Sequence, residues 1–290
     1  MAGIRELKQR LASVRSAGKI TTAMQMVASA KLKKAARAAE NFVPYQKMLQ
    51  SILDDFLSSD TEYDTPFRQK RALKKVTLVA FSSNSGFCGS FNTIIIDSLR
   101  REMEKYTSQE LHIVTVGKKV TQAVKSMKFK GNSEEWDRLV ITPHYGDARE
   151  LADHLMDLYL RRQTDKIVLI YFHYKNPMVH ELMVHDYLPI EFEKLKKEKE
   201  SYLHLYILEP KAPELIGRLL PKVLRSEIYA VLLDSFSSEQ GARTVAMQLA
   251  SENASQLSDE LLLILNRQRQ QMITTEILEL SAAGEEENDF

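Results

Sequence analysis

NRQRQQMITTEIL, Asn266 to Leu278, decides how this chain is read. Ahead of it lies DELLLIL, Asp259 to Leu265, a run with apolar helical character. Six polar residues follow without a break, Asn266 to Gln271, and the apolar pattern then resumes at Met272, Ile273 and Ile277. No Pro or Gly interrupts the segment, so the helix is expected to run straight through its polar belt. A helix that gives up its apolar stripe for more than a turn presents that turn outward.

The flanking sequence makes this helix very long. From Pro213 to about Ala283 the pattern is helical, with Gly241 as a weak point and Pro221 expected to mark the hand-over from a short helix to a long one. Sixty helical residues span roughly 90 Å at 1.5 Å per residue, too long to lie inside a compact protein of this size. A second long helix is predicted over residues 3 to about 59, on Ile4, Leu7, Leu11 and Val14 and then Ile20, Met24 and Val27 after Gly18. Pro44 should kink or interrupt it. The two terminal helices are expected to pair and project. Leu257, Leu261, Ile264, Ile273, Ile277 and Leu280 keep the 4–3 spacing of a two-helix seam.

Between the helices the character changes. SSDTEYDTPF, Ser58 to Phe67, reads as a loop. KKVTLVAF (74–81), LHIVTVG (111–117) and DKIVLIYF (165–172) are short β-branched runs, separated by helical patterns at Asn92–Tyr106, Lys118–Ser126 and Asp147–Arg162. That alternation predicts an α/β sheet with parallel crossovers. MVHELMVHDYLPI (178–190) and YLHLYIL (202–208) read as two further strands, joined through EFEKLKKEKE. The predicted architecture is therefore α/β, a Rossmann-like domain over 72–208 and an antiparallel coiled-coil shaft from 1–59 and 210–284, with an acidic tail at 285–290.

Bulk composition narrows the function. The chain has 290 residues with 40 Lys and Arg against 39 Asp and Glu, a net charge of +1, so overall charge does not make it a polyanion binder. The distribution is uneven. Residues 1–39 hold nine Lys and Arg against Glu6 alone, a local charge of +8, whereas the chain ends in EEENDF. The single cysteine, Cys88, excludes an internal disulfide and fits a reducing, intracellular setting. The N-terminus lacks the continuous apolar core of a signal peptide, and runs such as LLLIL fall far short of the ~20 residues a membrane helix needs.

Candidate chemistry is sparse. SSNSGFCGSFN, Ser82 to Asn92, joins a strand to a helix and resembles a phosphate cradle, but it has neither the Walker lysine nor the GxGxxG spacing, so a structural turn is the better reading. No histidine lies near Cys88 in sequence, and a lone thiol there reads as packing. The seven histidines are scattered, and His180 and His185 fall on opposite faces of their predicted strand, which spoils chelation. No catalytic, cofactor or metal site is expected. The basic run KLKKAARAA, Lys31 to Ala39, reads as a nucleic-acid patch, a solvated helix face or a collar facing acidic protein loops. The absence of interleaved aromatic residues counts against nucleic acid.

Both ends together resemble the γ-subunit family of F-type ATP synthases. ITTAMQMVASAKLKKA, Ile20 to Ala35, is similar to that family's N-terminal motif; GARTVAMQLASENASQL, Gly241 to Leu257, and NRQRQQMITTEILEL are similar to its C-terminal signature; SGFCG, Ser85 to Gly89, echoes its GLCG turn. The likeness covers residues 2 to about 280. The chain departs from the family's SDRGLCG at Asn84 and Ser85, and reverses the family's closing Gly-Ala at Ala283 and Gly284. The regulatory cysteine insert of chloroplast relatives is absent. The resemblance implies a non-catalytic rotor inside a ring of three α and three β subunits, with an ε subunit and the membrane c-ring as further partners and no nucleic acid. It implies a peripheral place on the cytoplasmic face of the plasma membrane. It also implies that Arg269 and Gln270 catch a β-subunit loop, that Met24 lies near the coupling region, and that Lys31, Lys33, Lys34 and Arg37 meet acidic β loops. The alternative from the residues alone is a coiled-coil scaffold or nucleic-acid-binding adaptor with an α/β head.

Overall fold

The computed structural model describes residues 2–57, 65–67, 71–127, 129, 131–190 and 212–286. Contacts divide the chain into two compact units, residues 28–243 and residues 1–27 with 244–290. Two long helices, α1 (Ala2–Leu57) and α5 (Ala212–Glu286), contribute to both units.

The larger unit is built on a five-stranded sheet in the order β3-β2-β1-β4-β5. Its strands are β1 (Lys75–Phe81), β2 (Glu110–Val116), β3 (Asn132–Glu135), β4 (Lys166–Tyr174) and β5 (His180–Leu188). The first four run parallel, and β5 returns antiparallel along β4. The helices are α2 (Phe91–Lys105), α3 (Lys118–Ser126) and α4 (Tyr145–Leu160). β1 is central and reads as a nearly continuous apolar run because both of its faces are covered. On one face Leu78, Ala80, Ile113 and Ile170 pack against Phe91, Ile95 and Leu99 of α2 and Val120 and Val124 of α3. On the other, Val79, Val114 and Leu169 pack with Leu151, Leu155 and Tyr159 of α4, Leu49 and Leu53 of α1, and Leu224, Ile228 and Val231 of α5. Phe42 of α1 meets Tyr229 of α5 edge-on, with centroids 4.7 Å apart.

The predicted strands and helices 74–174 appear within a residue or two of their expected bounds. β3 was not expected. Its sequence, NSEE, has no apolar alternation, and it is held through backbone pairing with β2 and a Thr115 hydroxyl donated to the Glu134 carbonyl. YLHLYIL and its charged connection lie outside the described residues, as do residues 58–64 of the predicted loop.

At the prolines the helices continue. α1 is not interrupted at Pro44, and α5 is one helix through Pro221, which corrects the expected hand-over there. Pro44 and Glu40, whose carbonyl loses its usual partner, are both exposed, where water can take the bond. Gly217, four residues before Pro221, carries no side chain and is exposed. An interior proline costs about 3 kcal/mol. Burying Leu220, Val223 and Leu224 beside Pro221, at about 1.5–3 kcal/mol each, offsets that.

The smaller unit pairs the N-terminal part of α1 with the C-terminal part of α5. Arg15 Nε donates to Ser258 Oγ at 3.3 Å, and the Thr22 and Ser251 hydroxyls lie 2.7 Å apart. Rising numbers on one helix meet falling numbers on the other, so the pair is antiparallel. The seam differs from the one the spacing predicts. Leu261 is buried, but Leu257, Ile264, Ile273 and Ile277 are exposed, and on α1 so are Ile20 and Val27. Small residues take their place: a Cβ on Gly18 would sit 3.3 Å from the Ala254 Cβ. Around Gly18 a seam of Gly, Ala, Ser and Thr brings backbones close, while Leu11 and Leu261 are large side chains buried in the same unit. Leu280 has no described side chain.

Candidate functional site

The turn after β1 holds itself together. The Ser83 hydroxyl donates to the Ser85 carbonyl at 2.6 Å, and the Ser83 amide to Asn92 Oδ1 at 3.0 Å. Asn92 Nδ2 reaches Cys88 Sγ at 3.0 Å. Asn84 bridges two neighbouring segments, donating to the Asp137 carbonyl and accepting from the Lys118 amide, each at 2.9 Å. Phe87 and Gly89 adopt left-handed φ values of 63° and 58°, which close the turn onto α2. The polar groups are thus committed to the loop's own shape, as in a structural turn. Cys88 is buried, and burial pushes its thiol up, so it stays protonated at neutral pH and is a poor nucleophile.

A buried ion pair on α5 clamps this turn. Arg243 Nη1 donates to Glu239 Oε1 at 2.6 Å, while its Nη2 reaches Ser85 Oγ at 3.0 Å and the Ser85 carbonyl at 3.3 Å. Burial raises the Glu239 carboxyl above the usual carboxylate range, opposed by the Arg243 guanidinium and by Lys31 on α1. The sequence reading missed this pair. Its signal was the i, i+4 spacing of Glu239 and Arg243, which permits a helical ion pair.

Further polar contacts fix α5 against the sheet. Tyr187 donates its hydroxyl to the Leu224 carbonyl at 3.1 Å, and Arg225 pairs with Asp153 of α4 at 2.6 Å. His185 Nε2 lies 2.8 Å from Glu227 Oε1, and His173 Nδ1 lies 2.6 Å from Asp234 Oδ2. His180 is on the other face of β5, with its ring edge-on to Phe172. Among the described residues no group of three His, Cys, Asp or Glu is placed to hold a metal ion. No described helix is long and apolar enough to cross a membrane.

The residues singled out from sequence fall into two groups. Lys31, Lys33, Lys34 and Arg37 belong to the larger unit and are exposed on α1. Ala28, Leu32 and Ala35 form the buried stripe of the same turns, so Lys33, Lys34 and Arg37 point away from it. None of these four cations has an ion-pair contact among the described residues, although Lys31 is close enough to stabilise the Glu239 charge. Met24, Arg269 and Gln270 belong to the smaller unit. Met24 is half-buried, and Arg269 and Gln270 are exposed. Of the polar belt only Gln268 is partly covered. Apolar side chains share that surface, Leu249 and Leu263 among them.

Residues 3–285 match the family model described as ATP synthase. The chain is 43% identical over 284 residues to an ATP synthase gamma chain of Phocaeicola vulgatus, covering 97% of this chain and 98% of the relative. Among solved structures it resembles the central stalk/c-ring of Tetrahymena thermophila mitochondrial ATP synthase, with a TM-score of 0.58 at 25% identity, over 80% of this chain and 99% of that one. A chain of the Euglena gracilis mitochondrial ATP synthase (OSCP/F1/c-ring, rotational state 3) shares the fold, with a TM-score of 0.67 at 18% identity, over 97% of this chain and 93% of that one.

Proposed function

The chain belongs to the ATP synthase gamma chain family, and from that premise we propose how this non-catalytic central-stalk subunit works. Residues 1–59 and 210–284 act as the shaft, residues 72–208 as the globular domain that meets the c-ring and the ε subunit, and residues 285–290 as an acidic tail. Ion flow turns the c-ring, the ring turns this chain, and the asymmetric shaft drives each β subunit through different nucleotide affinities. The chemistry belongs to β. The assembly holds the chain at the cytoplasmic face of the plasma membrane as a peripheral subunit.

A rotor surface must make and break its contacts at every step. Solvent-exposed charge pairs suit this, because each is worth only ~0–1 kcal/mol. Lys31, Lys33, Lys34 and Arg37 form a sliding track for acidic β-subunit loops, Arg269 and Gln270 catch another β loop, and Met24 lies near that coupling region.

The observation that carries this reading is the end-to-end likeness to gamma chains, over 97% of this chain and 98% of the relative. Purified alone, the chain is expected to hydrolyse no ATP. Assembled with α, β, ε and the membrane sector, it should restore ATP-driven ion pumping. An assembled complex that hydrolyses ATP but pumps nothing would overturn the proposal. For the contact residues, Arg269→Ala with Gln270→Ala should weaken coupling more than Gln268→Ala with Gln271→Ala. Equal effects would remove their special role.

A further inference from the structure

Two imidazole–carboxylate contacts tie α5 to the sheet. Asp234 lies 2.6 Å from His173 Nδ1, and Glu227 lies 2.8 Å from His185 Nε2. The two acids are seven residues apart on one helix, about two turns or ~10 Å, and so share a face. The imidazoles also share a face. The antiparallel register pairs Leu169 with His185 and His173 with Glu181, and residues 169, 171 and 173 alternate onto the same side of β4. Tyr171 sits between the two contacts, with its hydroxyl pushed up to about 12 by burial and by the charges of Asp234 and Glu227. The order of contacts, Leu224 with Tyr187, Glu227 with His185, then Asp234 with His173, makes α5 run along β4 in the same direction.

Around these contacts Leu224, Ile228, Val231 and Leu232 are all buried. Beside them the Tyr187 hydroxyl on the Leu224 carbonyl and the Ser238 hydroxyl on the Phe172 carbonyl are further polar bonds between helix and sheet. Apolar burial is non-directional. It presses the helix onto the sheet but discriminates weakly between small rotations of the helix about its own axis. Charge-assisted hydrogen bonds are directional. Two of them on one face, two turns apart, define an angle.

We propose that the His173–Asp234 and His185–Glu227 pairs are an angular lock that narrows the turning of α5 about its axis on the α/β sheet. Resting on the rotor reading above, this makes the four residues positioning groups for torque: a rotation applied to the sheet reaches the helix with less play.

The test uses the assembled complex, with a probe on the globular domain and the α and β ring immobilised. Angular fluctuation at a stalled step and ions pumped per ATP hydrolysed are both read. Asp234→Ala with Glu227→Ala is expected to leave ATP hydrolysis within about twofold of the parent. The angular variance should rise and the pumping ratio fall, each by about twofold, as expected when contacts worth roughly thermal energy are lost. Asp234→Asn with Glu227→Gln keeps a hydrogen-bonding group at each position and should stay close to the parent. If the double alanine variant does not assemble, Asp234→Ala alone is read the same way. Parent-like variance and pumping in the alanine variants would overturn the lock, as would an equal loss in the Asn/Gln variant. A parent complex whose probe does not rotate during hydrolysis would instead overturn the rotor reading.

Discussion

Glu239 is a carboxylate taken out of water and met by one guanidinium. Burial is the larger influence, so its folded pKa lies above the unfolded value of 4.5. A group raised on folding contributes stability fully below its unfolded pKa and loses it as pH rises through the folded one. Stability measured by urea unfolding should therefore favour the parent over Glu239→Gln most strongly below pH 4.5, with the difference shrinking as pH rises through the raised folded pKa. A difference that grows with pH would contradict this sign. Arg243→Ala is the harsher change, because it strands a buried carboxylate and releases Ser85. A loss of about 3–5 kcal/mol is expected at neutral pH. Arg243→Lys should recover only part, since one ammonium cannot reproduce the planar fork shared between Glu239 and Ser85. The sequence displayed half of this arrangement. The i, i+4 spacing was visible, but Ser85 lies 158 positions from Arg243, and no local pattern links them.

At the scale of elements, periodicity predicted the strands and helices well and the helix seam poorly. β1, β2 and β4 were legible because strands buried on both faces must be continuously apolar. β3 was not, because an edge strand of four polar residues depends on its neighbour's backbone. The α1–α5 seam misled the reading for a different reason. Apolar spacing ranks large side chains first, yet here Gly18, Thr22, Ser251 and Ala254 occupy the contact, while Ile20 and Val27 are exposed. Gly18→Ala should change stability by less than about 1 kcal/mol, because the gain in helix propensity opposes a tight 3.3 Å contact. Gly18→Leu should force the helices apart and lower the melting temperature. Equal melting temperatures for the two variants would show that the seam is not close-packed there. Gly117, between β2 and α3, is less forgiving. Its φ is 106°, and a Cβ would lie 2.2 Å from the Ser82 carbonyl oxygen. Gly117→Ala is expected to cost about 3 kcal/mol or more in urea unfolding.

For the whole molecule, near-neutrality conceals a division of charge that bears on assembly. The net charge is +1, yet residues 1–39 carry +8. Lys33, Lys34 and Arg37 are exposed on the side of α1 away from its buried stripe, so replacing them removes charge without opening the core. Lys33→Glu with Lys34→Glu reverses two charges there and should leave the chain's own melting temperature within about 1 °C, as for surface changes away from packed features. Its effect should appear only against partners. If acidic β loops meet this track, the association rate with the α and β ring should fall for the variant at low salt. The gap between variant and parent should then close as ionic strength approaches 1 M, where the screening length shrinks to about 3 Å. A neutral pair, Lys33→Gln with Lys34→Gln, should fall between them, because steering follows charge and not side-chain shape. The polar belt at Asn266–Gln271 provides the internal control, since it holds only two charges, Arg267 and Arg269. Replacing Gln270 should alter coupling with little dependence on salt. If the Lys33 and Lys34 variants instead match the parent at every ionic strength, the basic track is a solvated helix face, and contact with the ring must rest on the belt and its neighbours.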